Sequence, residues 1–401
     1  MERLIFHIDV NNAFLSWTAI ELLKSGYKKD IRNIVSVIGG DEKSRSGIVL
    51  SKSTLAKKFG IKTGETLYSA RSKYKNLEVY PPNYEFYKEM SNSLFELLSN
   101  YSPDIEVASI DECYLDYGKV KNLYGDELKF AYKLKDEIYN TLGFTVNIGI
   151  ANNKLCAKMA SDFEKPNKVH TLYNNEIRTK MWPLGVDDLF GIGRSSSEKL
   201  KSIGINTIYD LAHADAQRIY NIFKNQSKWA IDIANGIDNS ELITSIEAKG
   251  ISNEFTLSKD EKNIEVLNEK LLILSEMVGK RLRKDKKFTN TICVILKDSK
   301  FVRKSHQKTL KNSTDSTNEI YRVSKEILKE FYKGEGIRLI GIRLDNLVDK
   351  ESHQISLFED YDRENRDSKL DKIVDEINNK IGKDIIRKAS LKDKFIRNKK
   401  Y

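Results

Sequence analysis

Residues 109–117 read SIDECYLDY, and this short stretch narrows the possible folds more than any other. Its β-branched and aromatic residues, with an apolar beat at Ile110, Cys113 and Leu115, predict a strand. Yet Asp111 and Glu112 sit side by side in it. Burying one ionised carboxylate without a partner is costly, and an adjacent like charge raises the cost. A positive partner is therefore required. A third carboxylate, Asp9, ends the strand-like run LIFHIDV, where a helix begins and where ligand sites gather in α/β sheets. Each acid alone reads as ordinary surface charge. Together they form a hard-oxygen set suited to Mg²⁺, which takes few protein ligands and completes its shell with waters and phosphates. Two such ions would make the acids tolerable together and depress their pKa values. Adjacent strand residues point to opposite faces, so Asp111 and Glu112 can share a site only if the strand begins there, at a hairpin tip.

The chain has 401 residues, enough for about two to four domains. A hydrophobic content of 40% supports ordinary cores. Cys113, Cys156 and Cys293 lie far apart in apolar settings, with no disulfide or metal spacing, which fits a reducing cytoplasm. The opening MERLIFHIDV alternates like a strand rather than a signal peptide, and no apolar run approaches a membrane span.

The formal charge of +10 suggests a polyanionic partner. Between residues 280 and 311, twelve lysines and arginines face only Asp285 and Asp298. This run reads as helix end, strand, turn, strand, so one sheet face could present several cations to a phosphate backbone. Nucleic acid is the leading partner, with an acidic protein or a membrane surface second. Helical spacing over 263–284 and 317–332, and strands at 291–297 and 337–344, predict a compact α/β layer. A second phosphate signal is DLFGIGRSSSEKLKSIGINTIYDL at 188–211, which reads as a helix-hairpin-helix. Gly191 and Gly193 would let backbone approach a phosphate beside a helix N-terminus. An ordinary pair of core helices is the competing reading.

The stretches HIDVNNAF, GIVLSKSTLAKKFGIKTGE, SPDIEVASIDECYLDYG, TVNIGIANNKLCAKMASDFEKPNK, DLFGIGRSSSEKLKSIGI and IRLIGIRLDNL occur here in order. In these the sequence resembles the Y-family of translesion DNA polymerases, of the DNA polymerase IV type, from Leu4 to about Leu391. The resemblance implies a multi-domain α/β (α+β) right hand. Its expected parts are a ferredoxin-like palm at 1–30 and 77–175, small fingers at 31–76, and a helical thumb with the helix-hairpin-helix at 176–241. An α/β little finger at 242–347 and a tail at 348–401 complete it.

The same resemblance implies roles for individual residues. Asp9, Asp111 and Glu112 match the catalytic metal ligands, with the main-chain carbonyl of Val10 as a further ligand for two Mg²⁺ ions. Asn12, Ser51, Thr54, Lys57 and Lys165 match nucleotide-binding positions, and Phe14 matches the steric gate against a ribose 2′-hydroxyl. Gly47, Ile48 and Val49 match the slight roof over the nascent base pair. Many relatives carry a tyrosine and an arginine where Thr54 and Lys57 stand; the bidentate fork of arginine is thus lost. Gly191, Gly193, Arg281, Arg283, Lys284 and Lys287 are the expected DNA contacts. In the tail, QISLF resembles a sliding-clamp peptide, with Gln354, Leu357 and Phe358 as anchors, followed by an amphipathic helix pair.

The implied function is template-directed, low-fidelity DNA synthesis from dNTPs on primer-template DNA, by a cytoplasmic monomer without membrane contact. A metal-dependent nuclease or a non-catalytic DNA- and clamp-binding relative are the alternatives. Lys57 and Lys165 favour the polymerase, because a nucleotide needs them and a hydrolytic water does not.

Overall fold

The computed structural model describes residues 3–42, 47–244, 247–349, 361–382 and 385–386. These divide into two compact units, with the division at residues 246 and 247.

In chain order, the first unit opens with β1 (Ile5–Val10), α1 (Ala13–Lys24), β2 (Ser36–Gly39), β3 (Val49–Lys52), α2 (Thr54–Lys58), α3 (Leu67–Lys73) and β4 (Glu78–Tyr80). There follow α4 (Tyr84–Ser99), β5 (Ile105–Val107), β6 (Glu112–Asp116), α5 (Lys121–Tyr124), α6 (Glu127–Leu142), β7 (Val146–Ala151), α7 (Lys154–Asp162) and β8 (Val169–Leu172). The helices α8 (Arg194–Ser202), α9 (Ile208–Ala212), α10 (Ala216–Phe223) and α11 (Ser227–Ala234) complete it.

Its main sheet has the order β5-β6-β1-β7-β8, antiparallel except where β7 pairs with β8. The central β1 is buried along its whole length, which is why LIFHIDV is almost continuously apolar. Its side chains alternate. Phe6, Ile8 and Val10 join Cys113 and Leu115 in the core under α4 and α6. Ile5 lies with Tyr114 among the α7 residues Ala157 and Ala160 on the opposite face, so His7 and Asp9 face that side too. Gly149 on β7 lets α7 lie down on the sheet. A Cβ there would stand 2.0 Å from the Ala157 carbonyl oxygen and 2.4 Å from the Ser161 nitrogen.

A smaller sheet, β3-β2-β4, has its own core of Val37, Val49, Ala56, Ile61 and Leu67. The helices α8 to α11 gather around Leu200, Ile205, Ile208, Leu211, Ile219 and Ile233.

The second unit contains β9 (Gly250–Glu261), α12 (Ile264–Lys284), β10 (Phe288–Asp298), β11 (Arg303–Thr314), α13 (Thr317–Phe331), β12 (Ile337–Val348) and α14 (Tyr361–Ile381). Its antiparallel sheet runs β11-β10-β12-β9. Leu271, Leu274 and Val278 of α12 and Ile320, Val323 and Ile327 of α13 pack on Ile292, Val294, Ile340 and Ile342. The helices and strands expected from periodicity are therefore present, with β10 and β12 longer than their apolar centres.

Candidate active site

Asp9 is the last but one residue of β1 and is the direct cross-strand partner of Glu112, the first residue of β6. Opposed residues share a face, so both carboxylates lie beneath α7. The strand begins at Glu112 and the Val10 N–H donates to the Asp111 carbonyl at 3.0 Å, so Asp111 lies in the hairpin tip. Its side chain turns aside and accepts from the Ser109 hydroxyl at 2.6 Å. The three expected carboxylates thus lie on one hairpin, with Asp9 and Glu112 directly opposed and Asp111 engaged by Ser109. Among the described residues no three His, Cys, Asp or Glu side chains converge as a ready metal cage. The preformed part is the Asp9–Glu112 pair.

Between the two lies a group that sequence reading passed over. The Lys158 ammonium donates to Glu112 Oε1 at 2.9 Å and lies 3.5 Å from Asp9 Oδ2 and 3.3 Å from Asp162 Oδ2. Its side chain is only 9% exposed. Burial works against its charge, but Asp9, Asp162 and Glu112 outweigh this and hold its pKa above the ordinary value. Lys165 Nζ completes the alternation, 2.9 Å from Asp9 Oδ1 and 2.8 Å from Asp162 Oδ1. Burial, then the contact with Glu112, pushes the Asp9 carboxyl up to about 7 against the pull of the two lysines. This oxygen pair, already gripping a cationic nitrogen, fits one hard cation. A second would need Asp111 to leave Ser109.

The turn that carries Lys165 is fixed by asparagines. Asn11, buried, donates to Asn147 Oδ1 at 3.1 Å and accepts from the Asn167 N–H at 2.8 Å. Asn147 in turn donates to the carbonyls of Ser161 and Glu164. Asn12 is exposed in a left-handed conformation at the start of α1. Phe14 lies one residue into that helix, half-buried and stacked on Tyr87 at a centroid distance of 4.9 Å. Trp17 lies against both rings.

In the smaller layer, Ser51 is buried in β3, while Thr54 and Lys57 are exposed on α2 behind the Ser53 cap. Lys52 stands close enough to Lys57 for its pKa to be lowered, chiefly by burial and then by that neighbour. Gly47 accepts from the Leu67 N–H, and Ile48 is 39% exposed. Val49 departs from the expected roof: its side chain is fully buried in the small core, because β3 turns it toward Val37 and Leu67.

Gly191 has φ +95°, a conformation that side chains resist, and Gly193 precedes α8 with open space where its Cβ would be. In the second unit the expected DNA cations separate. Arg281 donates to the Ser252 carbonyl and Asn253, Lys284 lies in the last turn of α12, and Lys287 pairs with Asp349 at 2.5 Å. Arg283 is corrected from a surface cation to a buried one. Its side chain is 6% exposed and its guanidinium reaches Asp375 at 2.6 Å and Asp371 at 3.4 Å, both on α14, and the Asp315 carbonyl at 2.8 Å. Gln354, Leu357 and Phe358 lie outside the described residues.

Comparison with known proteins defines the class. Residues 8–162 match the model of the impB/mucB/samB family, 248–357 match that family's C-terminal domain, and 174–205 match its HHH motif. A solved Y-family DNA polymerase chimera covers 86% of this chain and all of its own, with a TM-score of 0.75 at 24% identity. An insertion ternary complex of Dbh DNA polymerase aligns with a TM-score of 0.61 at 25% identity, over 86% of this chain and all of its own. The fold is thus the right hand of a Y-family polymerase, with palm, fingers, thumb and little finger. DNA polymerase IV of Clostridium acetobutylicum is 47% identical over 98% of this chain and 99% of its own length. DNA polymerase IV 1 of Bacillus subtilis is 30% identical over 97% and 93%. The chain belongs to the Y-family, in its DNA polymerase IV branch, and is a DNA-directed DNA polymerase of the translesion type.

Proposed function

We propose that this chain extends a DNA primer on a template by nucleotidyl transfer from a dNTP to the primer 3′-hydroxyl, at a site built from Asp9, Asp111 and Glu112. The observation that carries the reading is the cross-strand Asp9–Glu112 pair with a cation already between its oxygens. Asp9, Glu112, Asp111 and the Val10 carbonyl would hold two Mg²⁺ ions. When bound, such ions lower the pKa of the attacking hydroxyl and steady the triphosphate and its pyrophosphate leaving group.

The protein's own groups do the positioning. Lys165 and Lys57 attract the triphosphate, and Asn12, Ser51 and Thr54 offer polar atoms around it. Phe14, braced by Tyr87, stands where a ribose 2′-hydroxyl would have to fit. Gly47 and Ile48 leave a low roof, which suits a distorted template base. Ammonium and hydroxyl groups at 57 and 54 grip less directionally than a guanidinium, so nucleotide binding should lean on Lys165.

The assignment of palm to 1–30 and 77–175, fingers to 31–76, thumb to 176–241, little finger to 242–347 and tail to 348–401 belongs to this reading. So do docking on a sliding clamp through QISLF, action as a monomer and a cytoplasmic location. No helix among the described residues is long and apolar enough to cross a membrane. The nuclease and non-catalytic alternatives are not favoured by relatives named DNA polymerase IV. The test is dNTP addition to a primed template with Mg²⁺ and with chelator. Addition that needs Mg²⁺ and falls away in Glu112→Gln supports the site; metal-independent addition would remove it.

A further inference from the structure

The Lys158 ammonium has no role in the nucleotide transfer, yet it is as deeply set as Asp9, with 9% of either side chain exposed. Sequence gives little hint of it, because a lysine in CAKMA reads as the wet side of a helix. The close seat of α7 over Gly149 turns it inward instead. There it meets Glu112 at 2.9 Å and Asp9 at 3.5 Å, on the face where Asp9 and Glu112 oppose each other in register. It also lies 3.3 Å from Asp162, one turn along the same helix and 45% exposed.

We propose that Lys158 is the resident counter-cation of the Asp9–Glu112 pair: it holds the two carboxylates together while no divalent ion is bound, and its retreat toward Asp162 sets how tightly that ion binds. This rests on reading the pair as a cation site. The ammonium and the divalent ion compete for the same oxygens. Two carboxylates on one buried face repel unless a cation neutralises them. An ammonium does so with a single charge on a flexible stem and can be moved aside. Asp162 is already within ion-pair distance, so displacement needs only a small swing and leaves no charge unpaired. Lys165 bridges Asp9 and Asp162 in the same way and keeps Asp162 in place to receive it. Lys158 is thus a positioning residue that trades ion affinity for an ordered site before loading.

The test uses full-length protein and Mn²⁺ as the probe, read by the electron paramagnetic resonance of free Mn²⁺ and by the melting temperature with and without it. Lys158→Met should melt lower than wild type in chelator, recover most of that deficit in saturating Mn²⁺, and bind Mn²⁺ about tenfold more tightly, equivalent to roughly 1.4 kcal/mol. Lys158→Arg, which keeps the charge, should stay near wild type in affinity. A deficit that Mn²⁺ leaves unchanged, with unaltered or weaker affinity, would overturn the proposal and make Lys158 a packing residue. Asp9→Asn is the control for the underlying site and should lose Mn²⁺ binding. If Asp9→Asn binds as wild type does, the reading of the pair as a cation site fails, and the proposal with it. If Asp9→Asn loses binding while Lys158→Met matches wild type, only the proposal fails.

Discussion

Phe14 and Tyr87 stack face to face, with ring centroids 4.9 Å apart and planes 21° from parallel. Tyr87 is fully buried and its hydroxyl is hydrogen-bonded to Thr18 at 2.6 Å, so the ring behind Phe14 cannot give way. A braced aromatic at the start of α1 can reject a substrate by shape alone. Phe14→Ala should therefore admit ribonucleotides and raise their use relative to dNTPs by at least about tenfold, a difference of roughly 1.4 kcal/mol. Competition between a dNTP and its ribonucleotide on one template checks this. An unchanged ratio would leave Phe14 a core residue only.

Gly149 sets the height of α7 above the sheet. Gly149→Ala puts a Cβ 2.0 Å from a backbone oxygen, where only movement of the helix relieves the clash. The expected cost is at least about 1–3 kcal/mol of stability. Because α7 carries Lys158 and Asp162, activity should fall further than stability requires. Denaturant midpoints beside single-turnover rates separate the two effects.

Arg283 and its neighbours on α12 should answer differently to truncation. Arg283 is buried against Asp371 and Asp375, so Arg283→Ala strands two carboxylates and should cost about 3–5 kcal/mol of stability. It should leave the salt dependence of DNA binding unchanged once the variant is folded. Arg281→Ala, Lys284→Ala and Lys287→Ala should each flatten the logarithmic salt slope by about 0.9 wherever the cation meets a phosphate of duplex DNA. Chemical denaturation and DNA titrations at several salt concentrations check both halves.

Leu357→Ala with Phe358→Ala should preserve synthesis on a bare primer and abolish stimulation by a sliding clamp. A few apolar anchors carry most of a peptide's binding energy, so affinity should drop on the order of a hundredfold, near 2.7 kcal/mol. Titrating clamp with each protein, alongside melting temperatures, checks it. A lowered melting temperature without the clamp would show that these side chains pack on the protein itself.

Periodicity and turn chemistry made much of the architecture legible. The central strand, the amphipathic α12 and α13, and a strand within residues 109–117 all follow from local pattern, while the start of that strand at Glu112 does not. What escaped was set by tertiary geometry. Lys158 and Arg283 carry charges that sequence reasoning sends to the surface, yet each is buried against carboxylates of other elements, Lys158 against the strand residues Asp9 and Glu112 and Arg283 against Asp371 and Asp375 of α14. The contact of Asp111 with the Ser109 hydroxyl was not legible, because it depends on the shape of the hairpin tip. Val49 was matched to the roof by resemblance, and its side chain lies in the small core. The polar face of α14 packs inward through Asp371 and Asp375, the reverse of the usual amphipathic rule.

Templated synthesis requires Asp9 and Glu112 to act together. The most direct measurement is single-nucleotide incorporation in Mg²⁺ on four primed templates that differ in the next base, by wild type, Asp9→Asn and Glu112→Gln, with DNA affinity measured in parallel. The predicted result is selective addition of the complementary nucleotide by wild type. Both variants should lose addition by at least about a hundredfold, equivalent to roughly 2.7 kcal/mol, while still binding DNA. Primer shortening by wild type, or extension by either variant at the wild-type rate, would contradict it.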